Sequence, residues 1–176
     1  MSPFDQPKQT QNQSVTFTFP TLPADADALS KLPEAALDTP FRTAALALAA
    51  LCSYERDEAA AFAMLNVLKG PEPLSVYEKQ FLRDRLKGRQ YKVSSFFAGA
   101  SVDNGYQPSV PYTITVSDNP YSYPEPNWAT LYVTSAGADS PRPIKLRKKP
   151  STGQWFLNEL QCLADIRVPK EQDPWA

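Results

Sequence analysis

Thr39-Pro40-Phe41-Arg42-Thr43-Ala44-Ala45-Leu46-Ala47-Leu48-Ala49-Ala50-Leu51-Cys52 is the stretch on which the fold turns. It opens a proline-free run from residue 41 to residue 70 in a chain with 18 prolines, so helix is permitted here. Thr39 suits the N-cap, and Pro40 suits the first helical position, where its missing N–H is harmless. Phe41, Ala44, Ala45, Leu48, Leu51 and Cys52 recur three and four apart, which predicts one apolar stripe.

Working outward, the chain is expected to turn at Ser53-Tyr54-Glu55-Arg56, after which Asp57 and Glu58 supply first-turn acids for a second helix. Its stripe is Ala61, Phe62, Leu65 and Leu68, ended by Gly70 and Pro71. Ser75-Val76-Tyr77-Glu78 matches a capping box and starts a third helix through Tyr77, Phe81, Leu82 and Leu86, closed by Gly88.

From about Tyr91 the apolar period changes from 3.6 to 2. Tyr112-Thr113-Ile114-Thr115-Val116 and Thr130-Leu131-Tyr132-Val133-Thr134 alternate as half-buried strands do. Ile144-Lys145-Leu146-Arg147-Lys148 and Gln154-Trp155-Phe156-Leu157-Asn158 flank Lys149-Pro150-Ser151-Thr152-Gly153, a connection with turn chemistry, and read as a hairpin. Ala164-Asp165-Ile166-Arg167-Val168 is a last strand candidate, and Val15-Thr16-Phe17-Thr18-Phe19 is an early one that can pair with the later strands across the helices. Residues 1–13 read as a flexible polar tail and residues 20–38 as an irregular connection. The expected architecture is one α+β domain over residues 14–176. About three N-terminal helices (residues 39–88) pack on one face of an antiparallel sheet of five to six strands (residues 91–170).

Composition bounds the chemistry. The 176 residues include no histidine, which excludes Ser/His/Asp triads, Cys/His dyads, HExxH zinc sites and facial-triad iron sites. Neither GxGxxG nor GxxxxGK[ST] occurs, so the commonest dinucleotide and triphosphate cradles are missing. No catalytic residue, metal ligand or cofactor is expected. A net charge of −1 and a pI near 5.5 give no global attraction for nucleic acid or anionic lipid. The start of the chain has neither a basic n-region nor an apolar h-region, and no run reaches the roughly 20 apolar residues of a membrane span. Cys52 and Cys162 lack CxxC spacing and read as reduced, buried thiols, so a cytoplasmic location is expected.

Three groups of residues are candidates for binding. Tyr106, Tyr112, Tyr121, Tyr123 and Trp128 lie among prolines, and Trp175 stands near the end, so aromatic surface is expected on loops of restricted conformation. Asp139 with Arg142, and Asp165 with Arg167, place acid beside base; each pair could orient a ligand carboxylate or phosphate, or simply anchor a loop. Arg142, Lys145, Arg147, Lys148 and Lys149 form the densest cationic stretch, which suits an anion or nucleic-acid contact but alternates as the wet face of a strand does. Asp103-Asn104-Gly105 is a turn rather than a calcium loop.

Lys69-Gly70-Pro71-Glu72-Pro73-Leu74-Ser75, Glu78-Lys79-Gln80-Phe81-Leu82, Asn119-Pro120-Tyr121-Ser122, Ser151-Thr152-Gly153-Gln154-Trp155-Phe156-Leu157 and Asp173-Pro174-Trp175 together resemble a family of uncharacterised bacterial proteins known as a domain of unknown function. That resemblance covers residues 39–176 and implies a bacterial cytoplasmic protein, with no activity or site residue to carry over. The order of three helices before an antiparallel meander is also similar to the cone-shaped nuclear-transport-factor-like superfamily, which holds pocket enzymes and inert scaffolds alike. The expected function is a non-catalytic module that meets another protein or a peptide through its Tyr/Pro/Trp loops. The alternatives are a small-molecule pocket or enzyme in a helix–sheet cleft using Asp139, Arg142, Asp165 or Tyr112, and anion or nucleic-acid binding through residues 142–149.

Overall fold

The computed structural model describes residues 12–176. The expected tail, residues 1–13, lies outside the described residues except for its last two. In chain order the elements are β1 (Ser14–Phe19), α1 (Ala26–Ser30), α2 (Pro40–Leu51), α3 (Glu58–Lys69), α4 (Val76–Leu86), α5 (Tyr91–Ser94), β2 (Tyr112–Ser117), β3 (Trp128–Val133), β4 (Arg142–Lys149) and β5 (Gln154–Leu160).

The caps lie where the side-chain chemistry requires them. Thr39 Oγ1 accepts from the Arg42 N–H at 3.2 Å, Asp57 Oδ1 accepts from the Ala60 N–H at 3.1 Å, and Ser75 and Glu78 form the reciprocal capping box. Helix α2 departs from the expected stripe: every residue from Pro40 to Leu51 except Arg42 is buried. Its alanines let neighbours approach on all sides, which makes it the centre of the core rather than a surface helix.

The strands form one five-stranded antiparallel sheet in sequence order, β1-β2-β3-β4-β5. All the helices described above therefore lie between β1 and β2 in the chain, so the helical part is preceded by a strand rather than being N-terminal. Phe17, Phe19, Ile114, Val116, Leu131, Ile144, Leu146 and Leu157 point inward onto α2 and its neighbours. Alternate residues face outward, where Ser14 meets Ser117 Oγ to Oγ at 2.7 Å and Thr16 meets Thr115 at 2.8 Å. The β4–β5 hairpin turns through Gly153 at φ 76°, and its register slips between Lys145 and Leu146.

Four expectations are corrected. Residues 164–168 form no strand: Asp165 is in the left-handed region at φ 56°, which breaks an extended run, and the segment is held by the Arg167 N–H donating to Gly137 O at 2.9 Å. Residues 91–111 contain a helical turn and a 3₁₀ turn rather than the beginning of the sheet. Residues 20–38 are more ordered than expected, because Asp25 caps α1 by accepting from the Ala28 N–H at 2.8 Å and Pro33–Ala36 forms a 3₁₀ turn. The described residues form five helices where about three are expected, and α2 and α3 make the main contacts with the sheet.

The two faces of β3 should respond very differently to truncation. Leu131→Ala should cost about 2–5 kcal/mol in urea denaturation, whereas Thr130→Ala, on the opposite face, should stay within about 0.5 kcal/mol. Equal costs would contradict the face assignment.

Candidate functional site

The site begins where α3 stops. Gly70 takes φ 65°, and a Cβ there would lie 2.5 Å from the Phe156 ring, so only glycine lets α3 end against β5. The preceding residue, Lys69, is buried despite its charge. Its Nζ donates to Glu78 Oε2 at 2.7 Å and to Asn158 O at 3.2 Å, joining α3, α4 and β5 through one ammonium. The other Glu78 oxygen accepts from the Ser75 N–H at 3.0 Å, so a single carboxylate both caps α4 and anchors Lys69. Burial alone would raise the Glu78 carboxyl; the bonds from Lys69 and Ser75 outweigh it and hold the group below its ordinary value.

Two recesses open on either side of this junction, and both are lined by Lys69, Leu157 and Asn158. The larger, about 490 Å³, lies between α4 and β5 and is walled by Leu74, Phe81, Leu82 and Leu160, with Glu78, Glu159 and Gln161 as polar groups. Tyr77 stands at its lip, 78 % exposed, where an apolar stripe predicts burial. The smaller recess, about 270 Å³, is bounded by Pro71, Glu72, Phe156 and the end of β4, Arg147 to Lys149. The larger volume falls within the range of ordinary ligand sites, and β5 is an edge strand, so the cleft lies open along it.

Of the residues singled out from sequence, Arg147, Lys148 and Lys149 line the smaller recess, whereas the aromatic and acid–base candidates lie elsewhere. Tyr106 is removed from any accessible surface: its ring is buried, stacked 5.8 Å from Tyr91, and its hydroxyl donates to Arg167 O at 2.8 Å. Tyr112 packs edge-on to Phe97 and is half-buried. Trp128 is half-buried beneath the Arg147 guanidinium, 5.1 Å from its ring centre. Tyr121 is 82 % exposed, on a loop fixed by the Tyr121 N–H donating to Asn119 Oδ1 at 2.8 Å and the Thr130 N–H donating to Ser122 O at 2.8 Å. Tyr123 donates to Asp118 Oδ2 at 2.8 Å, and burial followed by that bond raises its pKa. Trp175 is exposed and not packed on the core.

The acid–base neighbours exchange partners. Asp139 pairs with Arg167 at 2.8 Å, while Arg142 donates to Asp165 O at 2.9 Å and to Ser140 Oγ at 3.3 Å. These contacts tie the segment after β5 to the β3–β4 connection, which is the anchoring role. None of the four residues lines either recess. Cys52 and Cys162 are free, and burial pushes both thiols up to about 12. Lys92 is buried, and its pKa is lowered by burial first and then by Arg89 and Arg85. Among the described residues no cluster of three or more acidic or thiol side chains is placed to hold a metal, and no helix is long and apolar enough to cross a membrane.

These features define an α+β domain with a two-part cleft beside an edge strand. The chain belongs to the family described as a domain of unknown function, DUF6935, whose match covers residues 21–170. No curated protein and no solved structure matches it, so the likeness to the nuclear-transport-factor-like superfamily gains no support.

The shifted Glu78 carboxyl fixes the sign of a pH effect. A depressed carboxyl stabilises the fold fully above its ordinary value of 4.5, and that contribution is lost as pH falls through the lower folded value. Glu78→Gln should destabilise the protein by about 1–3 kcal/mol at pH 7 in urea denaturation, with the difference shrinking toward pH 3. A difference independent of pH would contradict the ion-pair role.

Proposed function

We propose that this protein is a non-catalytic module that binds an extended peptide segment of another protein in the cleft between α4 and β5. The observation that carries the reading is the alignment of two recesses along one edge strand. Residues 156–161 of β5 and its end line them in succession, roughly 17–20 Å of extended chain. A row of side-chain-sized hollows suits a peptide, whose alternate side chains enter successive pockets. Tyr77, 78 % exposed, supplies apolar surface at the rim.

Binding rather than turnover is supported by what lines the cleft. Glu78, the central carboxylate, is spent on Lys69 and Ser75 and held below its ordinary value, away from the range useful to a general base near pH 7. The free thiols, Cys162 buried and Cys52 half-buried rather than buried as expected, suit a reducing compartment, and the proposal extends to a bacterial cytoplasmic location. A second surface, the β2–β3 loop, is favoured by one observation: Tyr121 is exposed on a backbone already fixed by hydrogen bonds, which lowers the entropy lost on contact.

A library of acetylated octapeptides with leucine fixed at one position tests the choice. Peptides retained by the wild-type chain should bind Phe81→Ala about tenfold more weakly, with circular dichroism confirming that the variant is folded, and should bind Tyr121→Ala unchanged. Loss of binding in Tyr121→Ala with Phe81→Ala unaffected would move the site to the loop.

A further inference from the structure

We propose that the peptide taken by this cleft is acidic, with an apolar side chain seated in the larger recess and one or two carboxylates, a few residues along the same segment, held at the smaller one. The inference rests on the peptide-binding reading and adds the chemistry of the ligand. The two recesses share Lys69, Leu157 and Asn158, so an extended segment lying along β5 meets both.

The smaller recess carries Lys69, Arg147, Lys148 and Lys149 against a single carboxylate, Glu72. Lys69 is committed to Glu78 and Asn158 O. Arg147 and Lys149, which share a face of β4, therefore stand with one acid in a chain whose net charge is −1, so this field is local. Arg147 reaches Glu72 only at 3.6 Å, with both side chains largely exposed, which is a weak pair that an incoming carboxylate can replace. Its guanidinium rests on the Trp128 ring, 5.1 Å away, and is thereby held at a fixed height over the sheet. Lys148 Nζ lies 5.9 Å from the Trp155 ring, and Lys149 makes no ion pair among the described residues. Phe156, Pro71 and Pro150 give the recess apolar walls, against which a carboxylate–guanidinium contact is less screened than in open water.

The larger recess has a different character. Leu74, Phe81, Leu82 and Leu160 form its walls, its ion pair Lys69–Glu78 is already satisfied, and its other carboxylate, Glu159, accepts from the Gln161 side-chain amide. Its cation is committed, so it offers contact area for an apolar group. Apolar and acidic groups in one extended segment match the two halves, whereas a basic segment meets like charge at the β4 end.

The experiment measures fluorescence anisotropy of the full chain with two labelled octapeptides. They share an alternating threonine–leucine half and end in three glutamates or three lysines. The acidic peptide should bind at least about tenfold more tightly at low salt, its affinity should fall as sodium chloride rises, and the double variant R147Q/K149Q should weaken it about five- to tenfold. Phe81→Ala should weaken both peptides together. Equal binding of the two peptides, insensitive to salt and to R147Q/K149Q but lost in Phe81→Ala, would overturn the acidic preference and leave the cleft standing. Binding of neither would overturn both readings. Tighter binding of an oligothymidylate than of the acidic peptide would overturn the proposal in favour of nucleic acid.

Discussion

One buried ammonium organises the part of the molecule that holds the cleft. Lys69 ends α3, donates to the Glu78 carboxylate of α4 and to the Asn158 carbonyl of β5, and so fixes three elements at one point. A lysine taken out of water without partners would be expensive, so the geometry around it is closely constrained. Because Glu78 also caps α4, the start of that helix cannot shift without breaking either its cap or the ion pair. The cleft is the space left between elements held in this way. Its two recesses are neighbours because the same ammonium lies between them.

Behind this junction stands α2, buried on nearly every side. Its alanines and leucines contact four of the five strands and α3, giving a rigid body against which β5 is held at the sheet edge. Thr43 Oγ1 donates to Trp155 O at 2.7 Å, and the Trp155 N–H donates to Leu37 O at 2.7 Å, covering the start of that edge and leaving its later part beside α4. Core packing and edge protection thus decide together where the surface stays open.

Much of the fold was legible because it is encoded locally. Thr39, Asp57 and the Ser75/Glu78 box declare helix starts by side-chain chemistry, and the Thr-Ile-Thr-Val alternation declares a strand with one wet face. What depends on distant partners was not. The alternation of residues 164–168 reads as strand, yet Asp165 turns left-handed so that its carbonyl meets Arg142 and Arg167 reaches Asp139. Tyr106 resembles its neighbouring tyrosines in sequence, but only the return of the Arg167 carbonyl satisfies its hydroxyl and allows its burial. The cationic end of the cleft, Arg147 to Lys149, was legible, but the rest escaped notice because Lys69 looks like an ordinary last-turn cation and Tyr77 like a core residue. A faint signal was present: a glycine after the lysine, and a capping glutamate nine positions on with an oxygen to spare.

Hydrogen exchange on the full chain, alone and saturated with the acidic octapeptide, tests the central claim most directly. Amides of residues 74–82 and 157–161 should exchange more slowly in the complex, while those of α2 keep the protection of the free protein and those of residues 118–127 stay unchanged. Slowing confined to residues 118–127, with residues 74–82 and 157–161 untouched, would contradict it.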